Sequence, residues 1–142
     1  MNTLYKIEFE AVDSAPFEEI VDLYKSAGWW KDVPDAQTII PAMIRGSFRF
    51  MVARLPKGCI VGMARVISDG FSDAYIQDVV VLPSYRKQGI GRELIRRLTE
   101  YCVDRKIAWI GLVAEPGTQE FYEELGYGTL AGYQPMLYGK TR

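Results

Sequence analysis

Between Asp78 and Arg92 the chain passes from an apolar stretch, Val79-Val80-Val81-Leu82, through Pro83-Ser84-Tyr85 into Arg86-Lys87-Gln88-Gly89-Ile90-Gly91-Arg92. A strand that feeds through a short two-glycine loop into a helix gathers unpaired backbone N–H groups and the positive end of the helix dipole in one space. That space suits a phosphate. Gly89 and Gly91 let the backbone approach the anion, while Arg86, Lys87 and Arg92 add positive charge. Arg92 stands in the first helical turn, where a cation opposes the dipole unless an anion is near. The competing reading is a glycine-containing helix start on a solvated basic face. A dinucleotide fingerprint fits poorly, because Leu94 stands where its third glycine belongs, and the following strand offers Trp109, Ile110 and Gly111 in place of a ribose-binding carboxylate. The Gly-Lys-Ser/Thr of a P-loop is also absent.

The chain contains no histidine, which removes a His general base, Ser/His/Asp and Cys/His nucleophile pairs, and every His-containing zinc site. Acid and base work falls to carboxylates, Tyr, Lys or Cys. Cys59 and Cys102 form no CxxC and read as reduced core thiols, and no metal site is expected. Asp78 is a polar residue in an otherwise apolar strand. A partly buried carboxylate there can take up a proton, or it can serve as a structural acceptor for loop amides.

The elements that must position these residues follow from composition and pattern. The chain has 142 residues, 49% of them hydrophobic and 25% charged, which suits one globular domain over 1–142 with a core that needs no staples. Lys and Arg total 17 against 18 Asp and Glu, so no global basic field favours nucleic acid or an acidic membrane. The first ten residues carry Lys6, Glu8 and Glu10 and do not read as a signal peptide, and no apolar run is long enough to span a bilayer. A cytoplasmic location is expected.

Alternation predicts a strand over Leu4 to Val12, and Pro16 with Phe17, Ile20, Val21, Leu23 and Tyr24 predicts a helix ending at Ala27-Gly28. A second helix is expected over Ala36 to Arg45. Strands follow at 47–52 and Cys59 to Ile67, then from Tyr75 to Leu82, closed by Pro83. Gly89 to Asp104 reads as a helix with Leu94, Ile95, Leu98, Tyr101 and Cys102 on one stripe. A buried strand is expected at Ile107 to Val113 and a short helix at Gln119 to Leu125, capped by Thr118. Two short strands, Tyr127 to Leu130 and Tyr133 to Tyr138, close the chain. The order is βααβββαβαββ, an α+β chain with one central mixed sheet.

With those elements placed, the run Val81-x-Pro83-x-x-Arg86-x-x-Gly89-x-Gly91 resembles the acetyl-CoA signature of the GCN5-related N-acetyltransferase (GNAT) superfamily. The later segment Phe121-Tyr122-Glu123-Glu124-Leu125-Gly126-Tyr127 resembles that family's second signature. The element order is also similar to the family's, so the resemblance covers nearly the whole chain. It implies that the strand ending at Val81 splays from the Ile107 to Val113 strand, with the pantetheine arm of acetyl-CoA in the opening. Backbone groups of Val79, Val80 and Val81 would pair with that arm, and the amides of Arg86, Lys87, Gln88, Gly89, Ile90, Gly91 and Arg92 would hold the pyrophosphate. An amide of Val80 or Val81 would polarise the thioester carbonyl.

Tyr122 matches the family's donor to the CoA sulfur; its alternative is a core aromatic beside Phe121 and Leu125. Asp78 falls where the family often places a base or water-holding group, with Glu115 in reserve. Trp29 and Trp30 lie where the family covers the acceptor, and Tyr133 to Tyr138 would form the opposite wall. Gly28-Trp29-Trp30 with the other aromatics looks like the branch containing arylalkylamine and plant-type serotonin acetyltransferases. The resemblance implies direct acetyl transfer to a primary amine, expected to be a small molecule, without a covalent acyl-enzyme. Pairing as a homodimer is a further option it carries. The rivals are a non-catalytic acyl-CoA sensor, an unrelated phosphate-binding regulatory domain, or acetylation of a protein N-terminus or lysine.

Overall fold

A computed structural model describes residues 6–139. Within them the chain forms β1 (Glu8–Ala11), α1 (Phe17–Ser26), α2 (Ala36–Gly46), β2 (Arg49–Arg54), β3 (Ile60–Ser68), β4 (Asp73–Val81), a 3-10 turn at Pro83–Tyr85, α3 (Ile90–Asp104), β5 (Trp109–Gly111) and α4 (Gln119–Glu123). The expected elements from β1 to α4 are present with shifted ends; Leu4 and Tyr5 of the first predicted strand lie outside the described residues. The five strands form one sheet in sequence order, antiparallel except for the parallel β4–β5 pair.

Period-two alternation divides the side chains between two cores. On β2, Phe50 and Val52 join a cluster with Ile20 and Leu23 of α1 and Ile40 and Ile44 of α2, while Met51 and Ala53 face the opposite cluster with α3. Leu94, Ile95 and Leu98 of α3 are fully buried, each contributing roughly 1.5–3 kcal/mol of transfer free energy. Gly62 lets α3 lie close on β3: a Cβ there would come within 3.3 Å of Ile90 Cγ2 and 3.4 Å of Leu94 Cδ1. This tight seat fixes where the first turn of α3 emerges beside the end of β4.

A bulge interrupts β4. Arg65 pairs with Gln77 but Met63 pairs with Val80, so Asp78 and Val79 together stand opposite Ala64. Asp78 takes φ +55, a left-handed conformation that Asp tolerates better than most residues. The extra residue inverts the faces. Before it, Ala74 and Ile76 pack on the α3 side; after it Val80 packs with α1 and α2, while Val79 and Val81 turn to α3.

The two closing strands expected at Tyr127 to Leu130 and Tyr133 to Tyr138 do not form. Residues 128–139 run as an exposed arm without a strand partner among the described residues. Their alternation supplies a strand-like pattern, but a ladder also needs an edge to pair with, and Pro135 removes one backbone donor. Tyr127 itself is fixed, its hydroxyl 2.6 Å from Thr99 Oγ1 on α3.

Candidate active site

β4 and β5 pair only over Asp73–Tyr75 with Trp109–Gly111. Beyond Tyr75 and Gly111 the strands part, which leaves a gap along the second half of β4. The Leu82 N–H donates to the Val61 carbonyl at 2.8 Å. Antiparallel ladders place both backbone groups of alternate residues on the same neighbour. Val80, paired with Met63, therefore faces β3, and the amide of Val81 is turned to the gap. Arg86 Nε donates to the Val81 carbonyl at 2.9 Å, tying the following loop back onto the strand end.

That loop leads into α3 through Lys87 at φ +61 and Gly89 at φ +82. Glu93 is the first residue of the helix to donate within it, to the Gly89 carbonyl at 3.0 Å, so the N–H groups of Ile90, Gly91 and Arg92 have no partner inside the helix. The Gln88 side-chain Oε1 is buried with no hydrogen-bond partner. A Cβ built on Gly91 lies 3.6 Å from Phe121 Cζ and 3.8 Å from Val81 Cγ2, so the first turn of α3, the end of β4 and α4 converge at the gap. The cations are distributed unequally: Arg92 pairs with Glu124 on α4, Arg86 bends to Val81, and Lys87 stays exposed. An anion here would thus meet the helix amides and dipole before it met a free guanidinium.

Tyr122 sits on α4 with its ring edge-on to Phe121 at 5.0 Å and to Tyr127 at 6.2 Å. It packs against the same core as Val79, Val81 and Phe121. Burial raises its pKa, and the neighbouring Tyr127 and the Glu115 carboxylate push in the same direction. Tyr122 is therefore a protonated hydrogen-bond donor at neutral pH. Glu115 is exposed in the segment before α4, within electrostatic reach of that hydroxyl.

Asp78 lies at the bulge, where its Oδ2 accepts from Tyr24 Oη at 2.7 Å and from Arg65 Nε at 2.6 Å. Tyr24 Oη also lies 3.2 Å from Met43 Sδ. Burial, followed by the Asp78 charge, lifts the Tyr24 pKa far above the usual tyrosine range. This cluster belongs to the α1 and α2 side, whereas Tyr122 belongs to the α3 side. Trp29 packs near it, its ring 6.4 Å from that of Tyr24. Trp30 donates Nε1–H to Asp32 at 3.0 Å, and both tryptophans lie half-buried against the α1 and α2 core. Tyr133 lies on the exposed arm, with no ring contact or hydrogen bond from its side chain to either tryptophan.

Sequence reasoning did not find Tyr24 or Arg65. Tyr24 read as part of a helical stripe; Arg65 had a signal, being the one charge inside the apolar run Cys59 to Ile67. Neither cysteine borders the gap. Cys59 is exposed in the β2–β3 turn, and Cys102 is buried near the far end of α3, where burial pushes its thiol pKa up.

Comparison with known proteins bears on this geometry. The family model described as the acetyltransferase (GNAT) family matches residues 9–127. Over 68 residues, 48% of this chain, it is 40% identical to GCN5-related N-acetyltransferase 2, chloroplastic, of Arabidopsis thaliana, and 43% identical to histone acetyltransferase TAP1 of Glycine max. Those stretches are 26% and 29% of the two relatives' own lengths. Among solved structures, the acetyltransferase, GNAT family protein SP0256 from Streptococcus pneumoniae superposes with a TM-score of 0.79 at 25% identity, covering 96% of this chain and 100% of that one.

Proposed function

Because the chain belongs to the acetyltransferase (GNAT) family, we propose that it is an acetyl-CoA-dependent N-acetyltransferase that moves the acetyl group to a primary amine, most simply of a small molecule, by direct transfer in a ternary complex. The observation that carries this reading is the gap beyond the three-residue β4–β5 pairing, into which the Val81 amide turns beside Tyr122 and the free N–H groups of α3.

The residues present fit a pyrophosphate-bearing co-substrate. Three helix N–H groups without partners, at the positive end of the 15-residue α3, give an anion its donors. The buried Gln88 Oε1 offers an acceptor to a donor group of the ligand. The pantetheine chain would run beside Val79 and Val81, which pack on the α3 side with Phe121 and Tyr122. No cysteine stands at the gap to carry an acyl group, which suits direct transfer.

Chemistry at the thioester requires a polarised carbonyl, a neutral amine and a proton for the departing thiolate. The gap-facing amide of Val81 supplies the first as a hydrogen-bond donor. The amine nitrogen forms its bond to the carbonyl carbon, the C–S bond breaks, and Tyr122 gives its hydroxyl proton to the sulfur. Tyr122 suits this task because burial keeps it protonated. Asp78 suits an anchoring role better than proton abstraction, since protonating its Oδ2 would disrupt contacts to both Arg65 and Tyr24. Glu115, whose charge acts on the Tyr122 hydroxyl, is the carboxylate assigned here to take the amine proton, directly or through water.

A protein amine is the second reading, favoured by the likeness to a relative named as a histone acetyltransferase. Release of free CoA from acetyl-CoA, measured with small amines and with lysine-bearing and free N-terminal peptides, separates the readings. Faster release with small amines supports the first and with peptides the second, while acetyl-CoA binding without release leaves an acyl-CoA sensor.

A further inference from the structure

At the end of the sheet opposite the β4–β5 gap, a cleft of about 310 Å³ opens between β1 and β2 and the second half of α3. That volume is at the small end of ligand pockets and admits a metabolite of amino-acid size. Phe9, Ala11 and Met51 form its apolar wall, and Arg97, Tyr101 and Asp104 stand on successive turns of the helical wall. The charges along it are not equivalent. Glu10 is paired with Arg54 at 2.6 Å, Glu100 with Arg96 at 2.6 Å, and Arg97 gives its Nε to Glu93 at 2.8 Å. Arg49 and Asp104, which also line the cleft, have no such partner: among the described residues neither side chain makes an ion pair or hydrogen bond, with the other or elsewhere. Arg49 is held all the same. Its guanidinium lies 4.1 Å from the centre of the Tyr101 ring, and that ring is fixed by Arg105 at 3.4 Å and by the ring of Phe48, edge-on at 5.4 Å. A half-buried guanidinium on a fixed ring, with no carboxylate of its own, is preorganised for an anion.

We propose that this cleft is a second binding site, separate from the acetyl-transfer site, for a small zwitterion: a free α-amino acid with an apolar side chain. Its carboxylate pairs with Arg49, its ammonium with Asp104, and its side chain rests on Phe9 and Met51. The charge pattern selects a dipolar ligand. A purely anionic one would meet Asp104 and Glu100 on the same wall, and a purely cationic one would meet Arg49 and Arg97. Two lone charges of opposite sign border one cleft without closing on each other, because Arg49 is stacked on Tyr101. One molecule carrying both charges answers both. Arg97, whose guanidinium lies 5.1 Å from the centre of the Phe9 ring and is engaged only through Nε, brings further N–H donors to the carboxylate. β3 separates this wall from the gap, so the site does not depend on the acetyl-transfer reading.

The test is an amide-resolved NMR titration of the full chain, without acetyl-CoA, using L-leucine, leucinamide and N-acetyl-leucine. Leucinamide lacks the carboxylate and N-acetyl-leucine the ammonium. L-leucine should shift the amides of 9–11, 49–51 and 100–105, and each single-charge analogue should bind weaker by a factor on the order of tenfold or more. Asp104→Asn should weaken L-leucine by a similar factor and leave N-acetyl-leucine unchanged, while Arg49→Gln should weaken L-leucine and leave leucinamide unchanged. Melting checks both variants. Asp104 is exposed and unpartnered, so Asp104→Asn keeps the fold and decides the matter if Arg49→Gln does not fold. No shift at the cleft overturns the proposal, as do equal affinities for the three probes or parent-like binding of L-leucine by Asp104→Asn. Shifts confined to the β4–β5 gap, which would make the amino acid an acetyl acceptor, overturn it too.

Discussion

Asp78 and Arg65 are joined across the β3–β4 ladder at the one point where its register slips, with Asp78 Oδ2 2.6 Å from Arg65 Nε. The pair is half-buried, and Tyr24 of α1 closes onto the same oxygen. A bulge alone would be a loose feature of the strand. Held from both sides, it sets the facing of Val79, Val80 and Val81, and so decides which backbone groups reach the gap.

Asp78→Asn removes the charge that Arg65 pairs with while keeping a side chain able to accept from Tyr24. The fold should lose about 1–3 kcal/mol, measured by denaturant unfolding, because Arg65 keeps its charge without its partner. In the anchoring role, kcat/KM falls without loss of the acidic limb of its pH profile. Disappearance of that limb, with a fall on the order of 10²–10⁴, would make Asp78 the general base instead.

Tyr122→Phe keeps the ring contacts with Phe121 and Tyr127 and removes only the hydroxyl. Melting and acetyl-CoA affinity should hardly change, while kcat falls on the order of 10–10³. A parent-like rate, with chemistry shown to limit the parent enzyme, would return Tyr122 to the core.

Much of the candidate site was legible along the chain because its signals are local. The two-glycine turn into α3 and the Phe121-Tyr122 segment are written in consecutive residues. The Tyr24–Asp78 bond joins positions 54 apart, and nothing at either position names the other. The bulge was hidden for a different reason: Val79, Val80 and Val81 are all apolar, so a slip in which face each presents leaves no trace in a hydrophobic pattern. The closing strands were over-read because period two marks a segment able to pair, and pairing depends on an edge supplied from elsewhere.

Tyr24 offers a reading of the network by pH. Its folded pKa is raised above the ordinary value of 10.0, by burial first and then by the Asp78 charge. Stability from this group is therefore complete below that value and is lost as pH climbs beyond it. Tyr122 and Tyr127 are shifted the same way. Melting temperature should decline above about pH 10, and the decline should be shallower in Tyr24→Phe. Parallel declines in the two proteins would mean that Tyr24 is not so buried.

Gly62→Ala tests the seat of α3. The added methyl would meet Ile90 and Leu94 at 3.3–3.4 Å and the Val80 carbonyl at 3.3 Å, a crowding that should destabilise the fold by about 1–3 kcal/mol in chemical unfolding. Since the helix must shift to make room, acetyl-CoA binding should weaken as well. Unchanged stability and binding would show that α3 is not held by this contact.

The site assignment itself is tested most directly by the stabilisation that acetyl-CoA confers on the parent chain and on Gly89→Glu and Gly91→Glu, each of which sets bulk and negative charge at the start of α3. Gly89→Ala serves as the control for backbone cost, since a side chain at φ +82 strains the fold by about 1 kcal/mol without adding charge. Co-substrate at 100 times its dissociation constant should stabilise the parent by about 2.7 kcal/mol. That stabilisation should survive in Gly89→Ala and vanish in both glutamate variants. Undiminished protection of the two glutamate variants, or none of the parent, would contradict the placing of acetyl-CoA at this helix and gap.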